Sequence, residues 1–530
     1  MKNLFYTTAI VLLANAALAQ NCPPATAYDF LDINNVKARI NNGGDMWWDL
    51  ENDAQYIVPK TGMTSALFAG AIWIGGVDAQ GQLRLAAQTY RQTGNDFFPG
   101  PLDENASVTN QACQDFDRIW KINKSSIDSF IAGQFSVMPS SIAEWPGKGN
   151  PNLPFLPDQD LAPFVDVNGN SIYNPADGDY PDVPGDQALW FVINDKGNIH
   201  SETGATPIGI EVQCTIYAFE GTGTCLNNTT FYHYKLLNKS SESLDSTFVG
   251  LWTDPDLGCA FNDYFGCDTL NNLGIVYNAT SVDEGSGCVA NYGDDPPILA
   301  IDFLKGPEDE NGNVHYMDQF MYYNNDFTGA GNPQTSEDYY GYLQSIFSGG
   351  NHLTNPDGEE VDFAYPGDPA DLNGWSMCTE NSQPSDFRFI MSSGPFRFDP
   401  GDVQTMDFSV VWDDNSVYPC PSYTTIIDAT TCAEDYFKAN VVFTGLSAQP
   451  INNNVAQVFP TLVTQHDAII FQLKNAEHLR IFDLAGILVS DINVKHQSAV
   501  NIQAGFNKGM YIYQVIFKDQ SVTTGKFLIQ

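Results

Sequence analysis

The stretch "TTFYHYKLLNKSSESLDSTFVGLWTD", residues 229–254, constrains the fold more than any other. Bulky and polar side chains alternate on either side of a polar turn. A period of two sends successive side chains to opposite faces of an extended chain, so each half reads as a β-strand. "FRFIMSSGPFRFDPGDVQTMDFSVVW", 387–412, repeats the pattern across a Pro-Gly turn. Runs of this kind recur between about residues 187 and 445 and predict an all-β body of one or two sandwiches with long irregular loops. Residues 20 to 145 read as short strands and turns. In "SALFAGAIWIGGVDAQGQLRLAAQTYR", 65–91, Gly75-Gly76 reads as the turn between two strands, and Trp47, Trp48 and Trp73 read as core. One helix is expected over 114–134, where Phe116, Ile119, Trp120 and Ile122 partly fit a 3.6-residue period. Eight prolines between Trp145 and Pro184 predict an ordered loop region.

The first residues, "MKNLFYTTAIVLLANAALAQ", carry one Lys, an apolar run and Ala17-Leu18-Ala19. This is the layout of a cleaved signal peptide over 1–19, and the run is too short for a permanent membrane helix. All ten cysteines follow it, from Cys22 to Cys432. An even count in an exported chain reads as disulfides. Cys214/Cys225, Cys259/Cys267 and Cys420/Cys432 are near enough in sequence to staple local loops, although sequence leaves the pairing open. With no CxxC pair, zinc and thioredoxin-like chemistry are disfavoured.

Acids outnumber bases 64 to 23, giving a formal charge of −41. Nucleic acid is excluded as a natural partner, because phosphate binding needs Lys and Arg to release counterions. Divalent cations suit such a surface. Beyond Pro450 the balance changes: six basic residues face five acidic ones, and no cysteine occurs. That break predicts a separate unit over 450–530, after an N-terminal region at 20–186 and a sandwich region at 187–445.

Two acidic stretches have the chemistry of calcium sites, since calcium takes six to eight oxygen ligands. In "DVNGNSIYNPADGDYP", 166–181, Asp166, Asn168, Asn170, Asn174 and Asp177 fall at positions 1, 3, 5, 9 and 12 of a twelve-residue loop, with the Ile172 carbonyl at 7. Ser171 stands where an EF-hand has Gly, and Asp177 where it has Glu. The loop thus resembles those of dockerins and thrombospondin type 3 repeats more closely. The competing reading is an Asx-turn loop whose side chains only cap backbone. A second set is Asp254, Asp256, Asp263 and Asp268 in "WTDPDLGCAFNDYFGCD". A site with a Kd of about 0.1 mM in about 1 mM calcium would add about 1.4 kcal/mol, which suits a permanent brace.

Catalytic signatures are absent. There is no GxSxG, HExxH or P-loop, and His200, His233, His315 and His352 lie at no metal-ligand spacing from one another. His233, flanked by aromatics, reads as a strand residue in a sheet face. No carboxylate pair can be singled out from 64 acids. The leading expectation is a structural or adhesive role; a secreted hydrolase of polysaccharide or protein is the rival.

The last eighty residues alternate again at "AIIFQL", "HLRIFDL", "ILVSDINV", "MYIYQVIF" and "TTGKFLI", which predicts a small Ig-like β-sandwich. Phe459-Pro460, "RIFDLAG" at 480–486, "GMYIYQV" at 509–515 and the terminal "GKFLIQ" resemble the type A C-terminal sorting domain of the Bacteroidota type IX secretion system. "FPTL" departs from that family's usual Pro-Asn-Pro. The resemblance implies sorting-signal roles for Gly486, Gly509, Tyr511 and Lys526. It also implies recognition by the type IX machinery and release or attachment to surface lipopolysaccharide at a Gram-negative cell surface. The body resembles an uncharacterised family of secreted Bacteroidota proteins through "AIWIGGVDAQGQLRLAAQTYR", "DVNGNSIYNPADGDYP", "WTDPDLG" and "SSGPFRFDPGD", which brings no activity with it.

Overall fold

A computed structural model describes residues 22–441 and the segments 455–459, 462–463, 468–474, 476–483, 487–495, 499–503, 507–518 and 522–529. The expected signal peptide at 1–19 and Gly486 lie outside the described residues. The chain is all-β, and contacts divide it into two units, Met1–Ser447 and Ala448–Gln530.

The body holds two nine-stranded sheets. One runs through Ala69–Asp78, Leu244–Asp254, Phe387–Phe398 and Gln319–Asn324. The other runs through Leu273–Asn278, Ile298–Lys305, Val403–Asp413, Thr229–Asn238, Ile210–Ala218 and Gln187–Asn194. All these pairings are antiparallel. The sheets share one hydrophobic core, and Trp47 crosses it to donate from Nε1 to Tyr232 Oη at 2.8 Å. Trp47, Trp48 and Trp73 are fully buried, as their size requires. Both sheets draw on strands from either side of residue 186, so no domain boundary falls there.

The two stretches that announced strands turn out to be crossovers between the sheets. Thr229–Asn238 and Leu244–Asp254 do not pair with each other; each joins a different sheet, as do Phe387–Phe398 and Val403–Asp413. A turn signal says that the chain reverses, while the choice of neighbour is made by packing. Many body strands are also buried on both faces: Ile210–Ala218 is buried throughout. The proline-rich segment covers one outer face, where Gln213 Nε2 donates to the Asp160 carbonyl at 3.0 Å. The helix Thr424–Asn440 covers a further part of the same face, with Tyr436 against Phe219.

Three local expectations are corrected. The single helix over 114–134 is a helix Asn110–Asp115, a strand Trp120–Asn123 and a helix Lys124–Ile131. Trp120 and Ile122 follow a period of two and pair with Trp190 and Ala188. Gly75-Gly76 lies inside Ala69–Asp78, and the turn comes later, where Asp78 Oδ1 accepts from Gln80 N and Gln82 N. A Cβ on Gly76 would stand 2.6 Å from Thr247 Oγ1 on the neighbouring strand, which accounts for glycine there. The disulfides are Cys22–Cys113, Cys225–Cys432, Cys259–Cys288 and Cys378–Cys420, leaving Cys214 and Cys267 as buried thiols. None of the three sequence-near pairs forms. Long bridges constrain the unfolded chain most: Cys225–Cys432 spans 207 residues, for which loop entropy is worth about 5 kcal/mol at most.

The C-terminal unit has a three-stranded sheet of Val455–Phe459, Ala468–Lys474 and Ala499–Gln503. Its five-stranded sheet contains Ala476–Asp483, Gly509–Phe517 and Val522–Ile529. Odd residues of Tyr511–Phe517 point into its core and stack around Phe471 and Phe527, so here the alternation is clean.

Candidate metal centre

The proline-rich loop satisfies itself. Asp166 Oδ1 accepts from Gly169 N (2.7 Å) and Asn170 N (3.2 Å), and Oδ2 accepts from Ser171 N at 2.6 Å. Asn168, Asn170 and Asn174 each accept a backbone N–H two residues on. Asp177 Oδ2 accepts from the amides of Asn168 and Asn174. Asp179, outside the predicted ligand set, closes the loop by accepting from Val167 N and Asn174 N. These are Asx turns, each oxygen mostly committed to a donor. The loop thereby turns Tyr173 into the core, where its hydroxyl donates to the Ile142 carbonyl at 2.6 Å.

The second acidic set is rearranged. Asp268 Oδ1 caps the turn before Leu273–Asn278, accepting from Leu270 N and Asn271 N, and among the described residues it joins no acidic cluster. Asp254 and Asp256 instead meet Asp386: one ligand atom from each lies within 4.8 Å of the other two. Among the described residues this is the one such group of three or more acidic, His or Cys side chains. The sheet brings them together. Asp254 ends one strand, Asp386 precedes the next, and Thr253 pairs with Phe389 between them.

One cation faces the three acids. Arg388 donates from Nη2 to Asp254 Oδ2 at 3.1 Å, from Nη1 to Asp386 Oδ1, and from Nε to Tyr90 Oη at 2.8 Å. Tyr90 in turn donates to Asp254 Oδ2 at 2.6 Å. Asp254 is 1% exposed, and its Oδ1 has no hydrogen-bond partner among the described residues. Burial pushes the Asp254 carboxyl up to about 6, with Arg388 opposing and Asp386 adding to the rise. Burial, then Asp254 and Asp386, lift Asp256 well above the usual carboxylate range. Asp256 nevertheless keeps part of its surface on a cleft of about 250 Å³, lined also by Asn52, Gln55, Phe68 and Val289. Behind it, Asp256 and Asp263 share a small cavity; Asp263 is 5% exposed, and its Oδ1 also lacks a partner among the described residues. Three carboxyls against a single guanidinium, in a partly desolvated site that resists ionising all of them, fit a divalent cation with oxygen ligands, whose binding would favour the ionised forms.

Asp386 and Arg388 escaped the sequence reading because they lie some 130 residues from Asp254, Arg388 in a stretch read only as a strand and Asp386 just before it. His233 sits on its strand as expected, with Nδ1 2.7 Å from Asp407 Oδ1 on the paired strand. In the C-terminal unit, Gly509 adopts a φ of +153°, and Tyr511 donates from its hydroxyl to the Asn507 carbonyl at 2.8 Å. Lys526 is exposed on the last strand, opposite Ile512.

No protein-family model matches the chain, and no curated protein matches it. Among solved structures it is similar to a polysaccharide lyase at 8% identity and a TM-score of 0.19, over 60% of this chain and 34% of that one. The chain thus spans about a third of the lyase it matches. It is also similar to CopC from Methylosinus trichosporium OB3b at 17% identity and a TM-score of 0.12, over 14% of this chain and 91% of that one.

Proposed function

We propose that this chain is a secreted or cell-surface protein of structural or adhesive type, exported through the type IX route and braced by calcium. The observation that carries the reading is a division of labour along the chain. Four disulfides and the acidic charge belong to the body, while the C-terminal unit is a separate, cysteine-free β-sandwich. Disulfides of this number belong to an oxidising, extracellular setting. Among the described residues no helix is long and apolar enough to cross a membrane. The C-terminal unit carries the motifs expected of a sorting domain, and Lys526 presents its ammonium to solvent where the machinery could read it. Calcium at extracellular, roughly millimolar levels would find an acidic body with a cluster of three carboxyls answered by a single guanidinium. The test is deletion of residues 448–530 in the native host, followed by fractionation. The expected result is body retained in the periplasm; normal appearance at the surface or in the medium overturns the export reading.

A further inference from the structure

Both sequence-predicted calcium regions are acidic, and the structure distinguishes them by what their oxygens already hold. In the 166–177 loop the Asp166 oxygens accept three backbone N–H groups and Asp177 Oδ2 accepts two amides. Binding an ion there would mean giving up bonds already made. At the other site the demand runs the opposite way. Three carboxylates converge, one guanidinium answers them, and Asp254 Oδ1 is enclosed by protein without a donor. An unmade hydrogen bond to a buried oxygen costs about 1–3 kcal/mol, more for a charged group, and a cation reaching Asp254 Oδ1 displaces no donor there.

We propose that a calcium ion is held by Asp254, Asp256 and Asp386. This rests on the calcium bracing proposed above and assigns it to one place. Asp254 Oδ1, Asp256 and Asp386 supply the protein ligands; Asp386 Oδ1 already accepts from Arg388 Nη1 and its Oδ2 from Asn325 Nδ2 at 2.8 Å, so it meets the ion through a remaining lone pair. Arg388 remains on Asp254 Oδ2 and on the other side of Asp386, orienting both carboxylates and cancelling one charge. With all three carboxylates ionised on the metal, the two charges that Arg388 leaves unbalanced match a divalent ion. Asp263 supports the site from an independent direction: it is nine-tenths buried, its Oδ1 has no partner among the described residues, and it lines the small cavity behind Asp256. The cleft on the other side of Asp256 gives the ion a route from solvent and space for the waters that fill a calcium shell of six to eight oxygens. With oxygen donors alone, the site favours calcium or magnesium over zinc or copper. The irregular loop at Asp256 suits calcium's adaptable geometry better than magnesium's strict octahedron.

The position explains what the ion would do. It would join the end of Leu244–Asp254 to the start of Phe387–Phe398, two adjacent internal strands of their sheet. It would also anchor the loop that Cys259–Cys288 ties from its far side.

The test uses the full chain after removal of metal by chelation. Calcium is titrated calorimetrically into the wild type, Asp386→Asn, Asp256→Asn and Asp166→Asn, with melting followed with and without calcium. The wild type is expected to bind with a Kd of about 0.1–1 mM or tighter. Asp386→Asn is expected to weaken this at least tenfold and to erase the calcium-dependent rise in melting temperature, whereas Asp166→Asn keeps both. Asp256→Asn breaks no ion pair and gives the same answer if Asp386→Asn fails to fold. Wild-type binding that survives both cluster substitutions overturns the assignment and leaves calcium bracing standing elsewhere. No binding by the wild type overturns both.

Discussion

The 166–177 loop and the Asp254–Asp256–Asp386 cluster are two acidic regions of the body, and they solve opposite problems. The loop spaces short oxygen-bearing side chains at alternate positions and spends them on its own backbone. The cluster gathers carboxylates from distant parts of the chain and leaves one of their oxygens unpaired. A loop pattern shows that oxygens converge; it does not show that they are free. Affinity for a cation requires ligands whose alternative partners are poor. The cluster meets that requirement through burial and an excess of negative charge.

The largest expected effect concerns Arg388. Arg388→Met leaves three acids with no guanidinium, and unfolding in urea without calcium should show a loss of about 3–5 kcal/mol. Saturating calcium should restore part of it. A loss below about 1 kcal/mol would mean the carboxylates are solvated, and the contrast with the loop would vanish. Next comes Asp166→Ala, which strips the Gly169 and Ser171 amides of their acceptor and leaves Asn170 N on Asn168 alone; it should cost about 1–2 kcal/mol. That cost should be equal with and without calcium; a cost that appears only with calcium would exchange the roles of the two regions.

The smallest effect sharpens the comparison from outside both regions. Asp302 lies beneath the helix Thr424–Asn440, and burial, then Glu434, hold its carboxyl well above the usual range against the pull of Lys438. The native state therefore keeps a proton that the unfolded chain releases. Its contribution is complete below the ordinary carboxylate pKa and is lost as pH rises through the native value. Asp302→Asn should stabilise the body by about 1 kcal/mol at pH 8 and by nothing near pH 3.5, as read by melting curves. Equal effects at both pH values would show that burial is not what lifts the carboxyl.

Much of the architecture was legible in the chain. Alternation across 229–254 and 387–412 marked long strands, the change in charge and cysteine content marked the separate last unit, and the three tryptophans marked core. These are local properties, fixed by side-chain period, composition and size. What failed was everything that depended on neighbours. Trp120 and Ile122 resembled a helix face until the strand Gln187–Asn194 gave them a partner. Gly75-Gly76 resembled a turn, although the residues are glycines because Leu85 and Thr247 crowd them.

By itself, then, the sequence determined an all-β, acidic body rich in cysteine, followed by a neutral and independent β-unit, since period, charge and residue counts do not depend on where the chain goes. Only the tertiary structure decided which strands pair, which cysteines bridge and which acids meet. Asp386 joins Asp254 because Thr253 and Phe389 are paired across two strands, and a register between segments that far apart is settled by the packing of a shared core.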